Sequence, residues 1–455
     1  MTFTRRANLP VFAMFALGLC GAGSVSAAQE SSFGCAGLEQ SNLVRAEEGK
    51  DGVFYRVATD LTMGQIINSR AASAVARIAR ALEEQGTTLI FAPVPTKGQA
   101  MPQDLPSNFV TTGYDVKKAR AEYALSIENL RQSGVVTADL LTRMLDTFDP
   151  AEVAKYGTDQ TPLFFRSDYH WTSEGARRAA RAVADQIVAQ PGYGDLTPTS
   201  YQTRQVGELE GFSNMRRAMQ RRCREPLPEV ETMGFETNAD TTPAQDDTGP
   251  LDIFADAEEQ SQVVLLGTSF SDNPTNNFAG WISQYSGLEV LNYAVTGGGQ
   301  YGALISYLTS QDYLEQRPRF IVWENPIYTD LLQFGTGPIE ELTAAAAAAC
   351  SDPLKVTTTG ETLEADLGGE KFDTDDAILA RFGSEGPRNA EFTLVTTDGV
   401  SRRYFSNRDD RLRATGNFWL GLGPYVDLPI ETIKVAFDRP ISTGASLSLC
   451  PNFGE

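Results

Sequence analysis

The sequence predicts an α/β domain with a mostly parallel sheet, followed by an all-β sandwich module. Between about residues 60 and 335, amphipathic helices alternate with short apolar strands, which is typical of a parallel sheet covered on both faces. After an alanine-rich run that ends at Cys350, short β-branched or alternating segments are separated by Gly, Asp and Pro. A third observation, an N-terminal export signal, marks residues that we do not expect in the folded protein.

Residues 1–28 have the three parts of a secretory signal peptide. Two arginines precede an apolar stretch, and a small-residue cleavage site ending at Ala28 follows it. The two arginines do not distinguish Tat from Sec export, and Leu19 before Cys20 disfavours a lipoprotein anchor. No later segment has the roughly twenty consecutive apolar residues of a membrane helix. We therefore expect an exported, periplasmic protein with no transmembrane span after cleavage.

Residues 29–345 are predicted to form the α/β domain, and residues 346–455 the sandwich module. Helices are predicted over 66–82, 119–133, 175–190, 281–287 and 303–314, and strands over 88–95, 134–137, 261–267, 289–293 and 320–326. Module strands are predicted over 355–359, 391–397, 403–406, 418–422, 432–437 and 445–450. The polar, acidic stretch 195–260 has no assignable pattern.

Four cysteines remain after the signal segment, and an even number in an oxidising compartment indicates disulfides. Three pairings are possible, and the spacing favours Cys35–Cys223 and Cys350–Cys450, one in each predicted domain. The chain has no Cys-x-x-Cys motif and a single histidine, so a zinc site with the usual His and Cys ligands cannot be assembled. We expect no metal and no tightly bound cofactor.

The formal net charge of -21 argues against nucleic acid as a partner, since binding to phosphates relies on Lys and Arg. Arginines nevertheless cluster in two segments, one around Cys223 and one near the C-terminus. They are Arg216, Arg217, Arg221, Arg222 and Arg224, and Arg402, Arg403, Arg408, Arg411 and Arg413. Each cluster taken alone is most simply a solvated face with ion pairs.

His170 is the single histidine of the chain, within the segment Ser167–Thr172. Histidine is the side chain suited to act as a base near neutral pH. If the segment is extended, Asp168 two positions earlier shares a face with His170 and can fix the tautomer of the imidazole. The alternative is a structural histidine that bonds a backbone carbonyl.

A nucleophile for this base is predicted at Ser269. The apolar strand before it ends in the segment Gly267–Ser271, and ligands of parallel sheets gather at the carboxyl ends of strands. Ser269 is expected on the turn into a helix, where backbone N–H groups can stabilise an oxyanion. Serines in turns are common, so the prediction of Ser269 as nucleophile depends on Asp168 and His170. Together the three residues supply a nucleophile, a base and an orienting acid.

These residues resemble those of a known family. Gly267-Thr268-Ser269 resembles the first block of SGNH hydrolases, and Asp168-Tyr169-His170-Trp171 resembles their Asp–His block. Here the Asp–His pair precedes the serine, an order similar to that of the periplasmic alginate O-acetyltransferases of the AlgX/AlgJ type. Val94–Gly98 and Trp323–Pro326 also agree, so the resemblance covers roughly residues 35–335. The β module makes the architecture more similar to AlgX, which carries a carbohydrate-binding module there, than to single-domain AlgJ.

The resemblance implies Ser269 as nucleophile, His170 as base and Asp168 as its partner. It also implies that the oxyanion is bound by the Ser269 N–H, by a glycine of the 297–299 loop and by a polar side chain. The candidates for these last two donors are Gly298, Asn273 and Tyr328. The usual asparagine block of SGNH hydrolases has no clean match in this sequence.

In the module, Arg402, Arg403, Arg408 and Trp419 are candidates for binding an acidic polysaccharide. Guanidinium groups bind carboxylates through two hydrogen bonds, and sugar rings stack on exposed aromatic side chains. The alternative is that these residues belong to an ordinary sandwich surface.

The resemblance implies an O-acetyltransferase that forms an acetyl-serine and passes the acetyl group to a hydroxyl of an acidic exopolysaccharide, namely mannuronate in alginate. Two alternatives remain open. The same three residues could serve a polysaccharide acetylesterase with water as acceptor, or the chain could be a non-catalytic polysaccharide-binding subunit of an export complex. The sequence indicates neither the acetyl donor nor the partner proteins in the envelope.

Overall fold

The computed structural model describes residues 31–146, 150–157, 161–240, 262–348, 350, 352–441 and 443–451. The predicted signal peptide over 1–28 and part of the unassigned 195–260 stretch lie outside these ranges. Among the helices in the described part, none is both long and apolar enough to cross a bilayer.

The centre of the first domain is a parallel sheet. Its described strands, with those of two small ribbons, are β1 Ala46–Glu48, β2 Phe54–Arg56, β3 Thr88–Val94, β4 Val136–Thr137, β5 Tyr201–Glu210, β6 Glu231–Ala239, β7 Val263–Leu266, β8 Val290–Asn292 and β9 Phe320–Pro326. Five of them form one sheet in the order β4-β3-β9-β7-β8, and all neighbouring pairs are parallel. Because parallel strands end at one edge, the segments after β3, β7, β8 and β9 meet there.

Helices pack against this sheet. In the described part they are α1 Ser69–Glu84, α2 Lys97–Ala100, α3 Val116–Gln132, α4 Leu140–Leu145, α5 Pro150–Tyr156, α6 Ser173–Val188, α7 Asn214–Gln220, α8 Ser269–Asp272, α9 Phe278–Ser286, α10 Gly302–Leu308, α11 Gln311–Glu315 and α12 Gly337–Ala347. The side chains of Asn68, Asp115 and Thr172 cap the N-termini of the long helices α1, α3 and α6. The predicted α/β architecture with a parallel sheet is therefore confirmed.

Two local predictions differ from the structure. The predicted helix over 303–314 is two helices, α10 and α11, because the Ser310 hydroxyl accepts a hydrogen bond from Tyr313 N and begins a new helix. Within the unassigned stretch, β5 and β6 pair as a long antiparallel ribbon. Most residues of β5 are exposed, so the strand lacks the alternation of apolar side chains that would have predicted it.

The second domain is a sandwich of two antiparallel sheets. Its strands in the described part are β10 Asp352–Pro353, β11 Val356–Thr359, β12 Thr362–Glu370, β13 Ala377–Arg381, β14 Asn389–Thr396, β15 Ser401–Asn407, β16 Asn417–Gly421, β17 Ile430–Phe437 and β18 Ser446–Cys450. The sheet orders are β10-β18-β13-β16 and β11-β12-β17-β14-β15, with an apolar core between them. The predicted β module is confirmed, although β10, β12 and β13 were not predicted.

The four-stranded sheet is buried on both of its faces. Ile378 and Phe418 face the sandwich core, whereas Leu379 and Trp419 belong to the core of the first domain. The Arg408 guanidinium forms a buried ion pair with Glu341 of α12. The two domains therefore share apolar and ionic contacts.

This packing corrects two predicted polysaccharide contacts. Trp419 is 1% exposed and Arg408 is 3% exposed, so neither side chain can lie against a polymer at the surface. Trp419 is covered because its strand carries an apolar side chain on each face, and Arg408 is covered because its charge is matched by Glu341.

Both disulfides favoured by the spacing are present, Cys35–Cys223 and Cys350–Cys450. They join residues separated by 188 and 100 positions along the chain. Closing loops of that length restricts the unfolded chain and stabilises the native state by about 5 kcal/mol each in the chain-entropy account.

Candidate active site

Ser269 is the first residue of α8, and two residues separate it from the end of β7. Thr268 before it has extended backbone angles, and its hydroxyl accepts a hydrogen bond from Phe270 N. This cap turns the chain sharply from strand to helix. Ser269 is therefore half-exposed at the carboxyl edge of the sheet, as the sequence predicted.

Glu324, near the end of β9, supports this turn from the neighbouring strand. Its carboxyl group is fully buried and accepts hydrogen bonds from Thr268 N at 2.7 Å and Ser271 Oγ at 3.0 Å. A Cβ at Gly267 would lie 2.5 Å from Glu324 Oε2, so only glycine permits this approach. Burial raises the pKa of Glu324 to about 7, although these hydrogen bonds act to lower it.

Asp168 and His170 lie in a tight turn and not in an extended segment. Asp168 Oδ1 accepts from His170 N at 3.0 Å and from His170 Nδ1 at 2.6 Å. Phe165 N donates to the His170 carbonyl, which closes the loop. The expected shared face of a strand is thus replaced by an aspartate turn, in which the side chain bonds the backbone two residues on.

His170 and Ser269 meet although they are 99 residues apart, with His170 Nε2 2.8 Å from Ser269 Oγ. Because an ionised carboxylate only accepts hydrogen bonds, Asp168 holds the proton on Nδ1 and leaves Nε2 to accept from the serine hydroxyl. Trp171 Nε1 donates to the Phe270 carbonyl at 2.8 Å. That bond ties the histidine segment directly to the serine turn.

Aromatic rings surround the imidazole of His170. The ring centroids of Tyr169, Phe270 and Phe212 lie 4.1, 4.9 and 5.5 Å from it. The Arg56 guanidinium carbon lies 4.1 Å from the centroid of the Tyr169 ring. These residues were not predicted as part of the site. Tyr169 could have been, because it lies inside the Asp-x-His segment, whereas Arg56 and Phe212 carry no local signal.

A buried lysine supports the histidine segment. Lys97 is 1% exposed, and its Nζ donates to the carbonyls of Phe54 at 2.8 Å and Phe165 at 2.6 Å. Burial lowers the pKa of Lys97 to about 8, while nearby Asp60 and Asp168 act to raise it. The lysine therefore joins β2 to the segment that leads into the Asp–His turn.

The three predicted oxyanion donors have different surroundings. Gly298 N already donates to the Val295 carbonyl at 3.1 Å, so the structure does not support Gly298 as an oxyanion donor. Asn273 is buried at the end of α8, and its Nδ2 has no hydrogen-bond partner among the described residues. Tyr328 is half-buried, and its ring lies 4.7 Å from the Arg56 guanidinium carbon. Asn273 and Tyr328 remain candidates.

Three exposed arginines of the C-terminal cluster lie at two places. Arg402 and Arg403 are exposed on β15, the edge strand of the five-stranded sheet. Arg411 packs against Gly297, where a Cβ would lie 3.2 Å from its Nε. The loop of Gly297 lies beside the serine turn, since Val295 N donates to the Gly267 carbonyl. One module arginine therefore lies close to the candidate site.

In the arginine cluster around Cys223, Arg216 makes contacts within the fold. Arg216 donates to the carbonyls of Leu227 and Pro228 and pairs with Glu229.

Within the described ranges, no group of three or more His, Cys, Asp or Glu side chains is placed to hold a metal ion. The arrangement of Asp168, His170 and Ser269 is one that can deprotonate a serine hydroxyl and use it as a nucleophile.

Comparison with known proteins shows similarity to proteins of alginate biosynthesis. Residues 47–327 match the family described as the SGNH hydrolase-like domain of the acetyltransferase AlgX. The alginate biosynthesis protein AlgX of Pseudomonas aeruginosa is 29% identical over 293 residues, 64% of this chain and 57% of that protein. The probable alginate O-acetylase AlgJ of Pseudomonas fluorescens is 30% identical over 256 residues, 54% of this chain and 57% of that protein.

The fold extends the similarity beyond the matched domain. The solved structure of Pseudomonas aeruginosa AlgX superposes with a TM-score of 0.71 at 20% identity, covering 90% of this chain and 94% of that one. The sequence matches span 57% of the length of the two relatives. With the family match over more than half of its residues, the chain belongs to the AlgX family of SGNH hydrolase-like acetyltransferase domains.

Proposed function

We propose that this protein is a periplasmic O-acetyltransferase that moves an acetyl group through an acetyl-serine onto hydroxyls of an acidic exopolysaccharide, namely mannuronate in alginate. The single observation that carries the proposal is the hydrogen-bonded chain from Ser269 Oγ through His170 to Asp168. Membership of the AlgX family supports acetyl transfer as the reaction. The names of the two relatives support alginate as the polymer.

In the first half-reaction, His170 Nε2 takes the proton of Ser269 as Oγ attacks the acetyl carbonyl of the donor. Asp168 stabilises the imidazolium through Nδ1. The negative charge on the carbonyl oxygen is stabilised by the Ser269 N–H at the start of α8 and by Asn273 or Tyr328. Collapse of this intermediate expels the donor's leaving group, which takes the proton from His170.

In the second half-reaction, His170 removes the proton from a sugar hydroxyl, whose oxygen attacks the acetyl-serine. Ser269 Oγ then leaves and takes the proton back. The exposed Arg402, Arg403 and Arg411 can bind the carboxylates of the polymer and hold its hydroxyls near the site. Two disulfides are typical of an oxidising compartment such as the periplasm, where an exopolysaccharide export complex would meet the polymer.

The test uses the full mature chain with p-nitrophenyl acetate as donor and oligomannuronate as acceptor. We expect acetylated oligomannuronate with the wild-type protein and none with Ser269→Ala, and an acetyl group on Ser269 by peptide mass spectrometry when the acceptor is left out. Ser384→Ala, in an exposed loop of the module, is the matched control and keeps wild-type activity.

The same assay separates the competing functions. Free acetate without acetylated sugar would indicate a polysaccharide acetylesterase with water as acceptor. Ser269 that neither forms an acetyl adduct nor reacts with a serine-directed fluorophosphonate would indicate a non-catalytic binding subunit. Acetylated sugar formed by Ser269→Ala would contradict the proposed mechanism.

A further inference from the structure

The arginine cluster around Cys223 has no role in the mechanism above. Residues 211–224 contain five arginines and no acidic residue, in a chain whose Asp and Glu outnumber its Lys and Arg by 59 to 38. Among the residues that the structure describes, Arg216 pairs with Glu229, whereas none of the other four arginines forms an ion pair with a carboxylate. These four are exposed, and we call them the basic surface: Arg217, Arg221, Arg222 and Arg224. The ion pairs expected from the sequence are therefore formed by only one arginine of this cluster.

The backbone that carries the basic surface is held against the N-terminal part of the chain. The disulfide Cys35–Cys223 lies within the cluster, and Ala36 N donates to the Arg222 carbonyl at 3.0 Å. Arg217 donates a hydrogen bond to the neutral side-chain oxygen of Asn214, which does not balance its charge. The fold thus keeps four like charges side by side, and their mutual repulsion is relieved when a polyanion binds.

The segment that carries the basic surface also reaches the catalytic histidine. The ring centroid of Phe212, two residues before α7, lies 5.5 Å from that of His170. Met215 and Met219 of α7 pack in the same apolar cluster as Tyr169, the neighbour of His170. Helix α7 has 7 residues and therefore rises only about 10 Å along its axis. The basic surface consequently lies one short helix away from the candidate site.

We propose that the basic surface binds the carboxylates of the acidic polysaccharide and leads the acceptor segment to Ser269. This inference rests on the proposed function and adds a second binding region for the polymer, on the first domain. A polyuronate carries a carboxylate on each sugar, so neighbouring guanidinium groups can bind successive carboxylates, each through two hydrogen bonds. The remaining negative charge of the protein repels the polymer, but over a Debye length of about 8 Å the local arginines dominate.

The test replaces the four arginines with glutamine in the full mature chain, as Arg217→Gln, Arg221→Gln, Arg222→Gln and Arg224→Gln together. We expect the affinity for oligomannuronate, measured by calorimetric titration at fixed ionic strength, to fall roughly 15-fold, since each exposed contact contributes about a factor of 2. The decrease of affinity with added salt should become less steep. In the transfer assay, KM for oligomannuronate should rise by a similar factor with kcat changed less than about 2-fold, because the basic surface does not touch the reacting atoms.

Two controls separate the basic surface from net charge and from misfolding. A matched variant removes four exposed arginines from scattered positions and should bind oligomannuronate within about 2-fold of the wild type. Its substitutions are Arg70→Gln, Arg80→Gln, Arg204→Gln and Arg381→Gln. Carboxyl-reduced oligomannuronate has no carboxylates and should bind to the wild type and to the basic-surface variant with equal affinity. Equal losses in the two glutamine variants, or a loss that extends to the carboxyl-reduced sugar, would overturn the inference.

The remaining outcomes distinguish this inference from the proposed function. Unchanged affinity for oligomannuronate in the basic-surface variant, with lost binding to vesicles that contain anionic phospholipid, would assign the surface to a membrane and overturn the inference. If Ser269→Ala still acetylates oligomannuronate, the proposed function fails, while calorimetry still decides whether the basic surface binds the polymer. If Ser269→Ala is inactive and the basic-surface variant binds the polymer as the wild type does, only the role of the basic surface fails.

Discussion

The two domains differ in how distance along the sequence relates to distance in space. In the first domain, His170 and Ser269 are 99 residues apart, yet they lie within hydrogen-bonding distance at one edge of the sheet. In the second, arginines that are close in sequence separate, with Arg403 exposed and Arg408 buried against Glu341. Parallel strands deliver their following loops to one edge, whereas an antiparallel sandwich divides neighbouring residues between two faces. Clustering in sequence therefore indicates a site only where the topology keeps the cluster together.

Among the tests of this comparison, Asp168→Asn in the first domain has the largest expected effect. The amide would donate to the imidazole and place the proton on the wrong nitrogen, so His170 Nε2 could no longer accept from Ser269. We expect kcat for acetyl transfer to fall about 10³- to 10⁴-fold, as in other serine, histidine and aspartate systems. Steady-state assays with p-nitrophenyl acetate and oligomannuronate measure it.

Asp410→Asn is the matched control, since its side chain is 99% exposed in the module and should leave kcat unchanged. A wild-type kcat in Asp168→Asn would show that the convergence of the three residues has no catalytic meaning. The difference between the two domains would then concern packing alone.

The second test concerns the module and replaces Arg408 with methionine. Removing one partner of a buried ion pair leaves Glu341 as an unmatched buried charge, which costs about 3–5 kcal/mol in free energy of unfolding. Urea denaturation followed by circular dichroism measures the loss. The double variant Arg408→Met with Glu341→Leu should recover most of it, because apolar side chains then replace both charges.

Arg403→Met is the control, with a side chain 66% exposed and an expected change below about 0.5 kcal/mol. If Arg408→Met were as stable as the wild type, Arg408 would not be the structural residue that its burial indicates. Burial would then not identify which arginines of the module stabilise the fold.

The same contrast explains how much could be read from the sequence. The sheet, the sandwich and the position of Ser269 were predictable, because they follow from apolar periodicity and from strand ends. The pairing of His170 with Ser269 was implied by the family resemblance. The hydrogen bond that occupies Gly298 N was not predictable because it depends on the turn that the 295–298 segment adopts, and the burial of Trp419 was not because it depends on contacts between distant segments. Arg56 reaches the site from β2, a strand too short to carry a pattern.

The third test compares two buried glutamates, Glu341 with its arginine and Glu324, which is bonded to hydroxyls and a backbone N–H. Burial raises the pKa of Glu324 to about 7, so the native state keeps a proton that the unfolded chain loses from about pH 4.5 upward. The stability of the wild type relative to Glu324→Gln should fall by about 3 kcal/mol between pH 4.5 and 7 and then level off.

Chemical denaturation at several pH values measures this difference. Glu364→Gln, at a half-exposed position in the module, is the control and should give no such trend. A difference that stays constant from pH 4.5 to 7 would mean that Glu324 titrates as an ordinary carboxyl. A raised pKa of the Glu324 carboxyl would then not distinguish the serine turn from the module.

The smallest expected effect tests whether the exposed arginines of the module bind polymer. Replacing Arg402 and Arg403 together with alanine should weaken binding of oligomannuronate about 5-fold, or about 1 kcal/mol, because each lost contact is solvated and screened by salt. Calorimetric titration at fixed ionic strength measures the affinity, and the melting temperature should not change. Arg439→Ala, an exposed arginine of the module paired with Asp438, is the control. Unchanged affinity in the double variant would place polymer binding away from β15, and would leave Arg411 beside the serine turn as the arginine to test next.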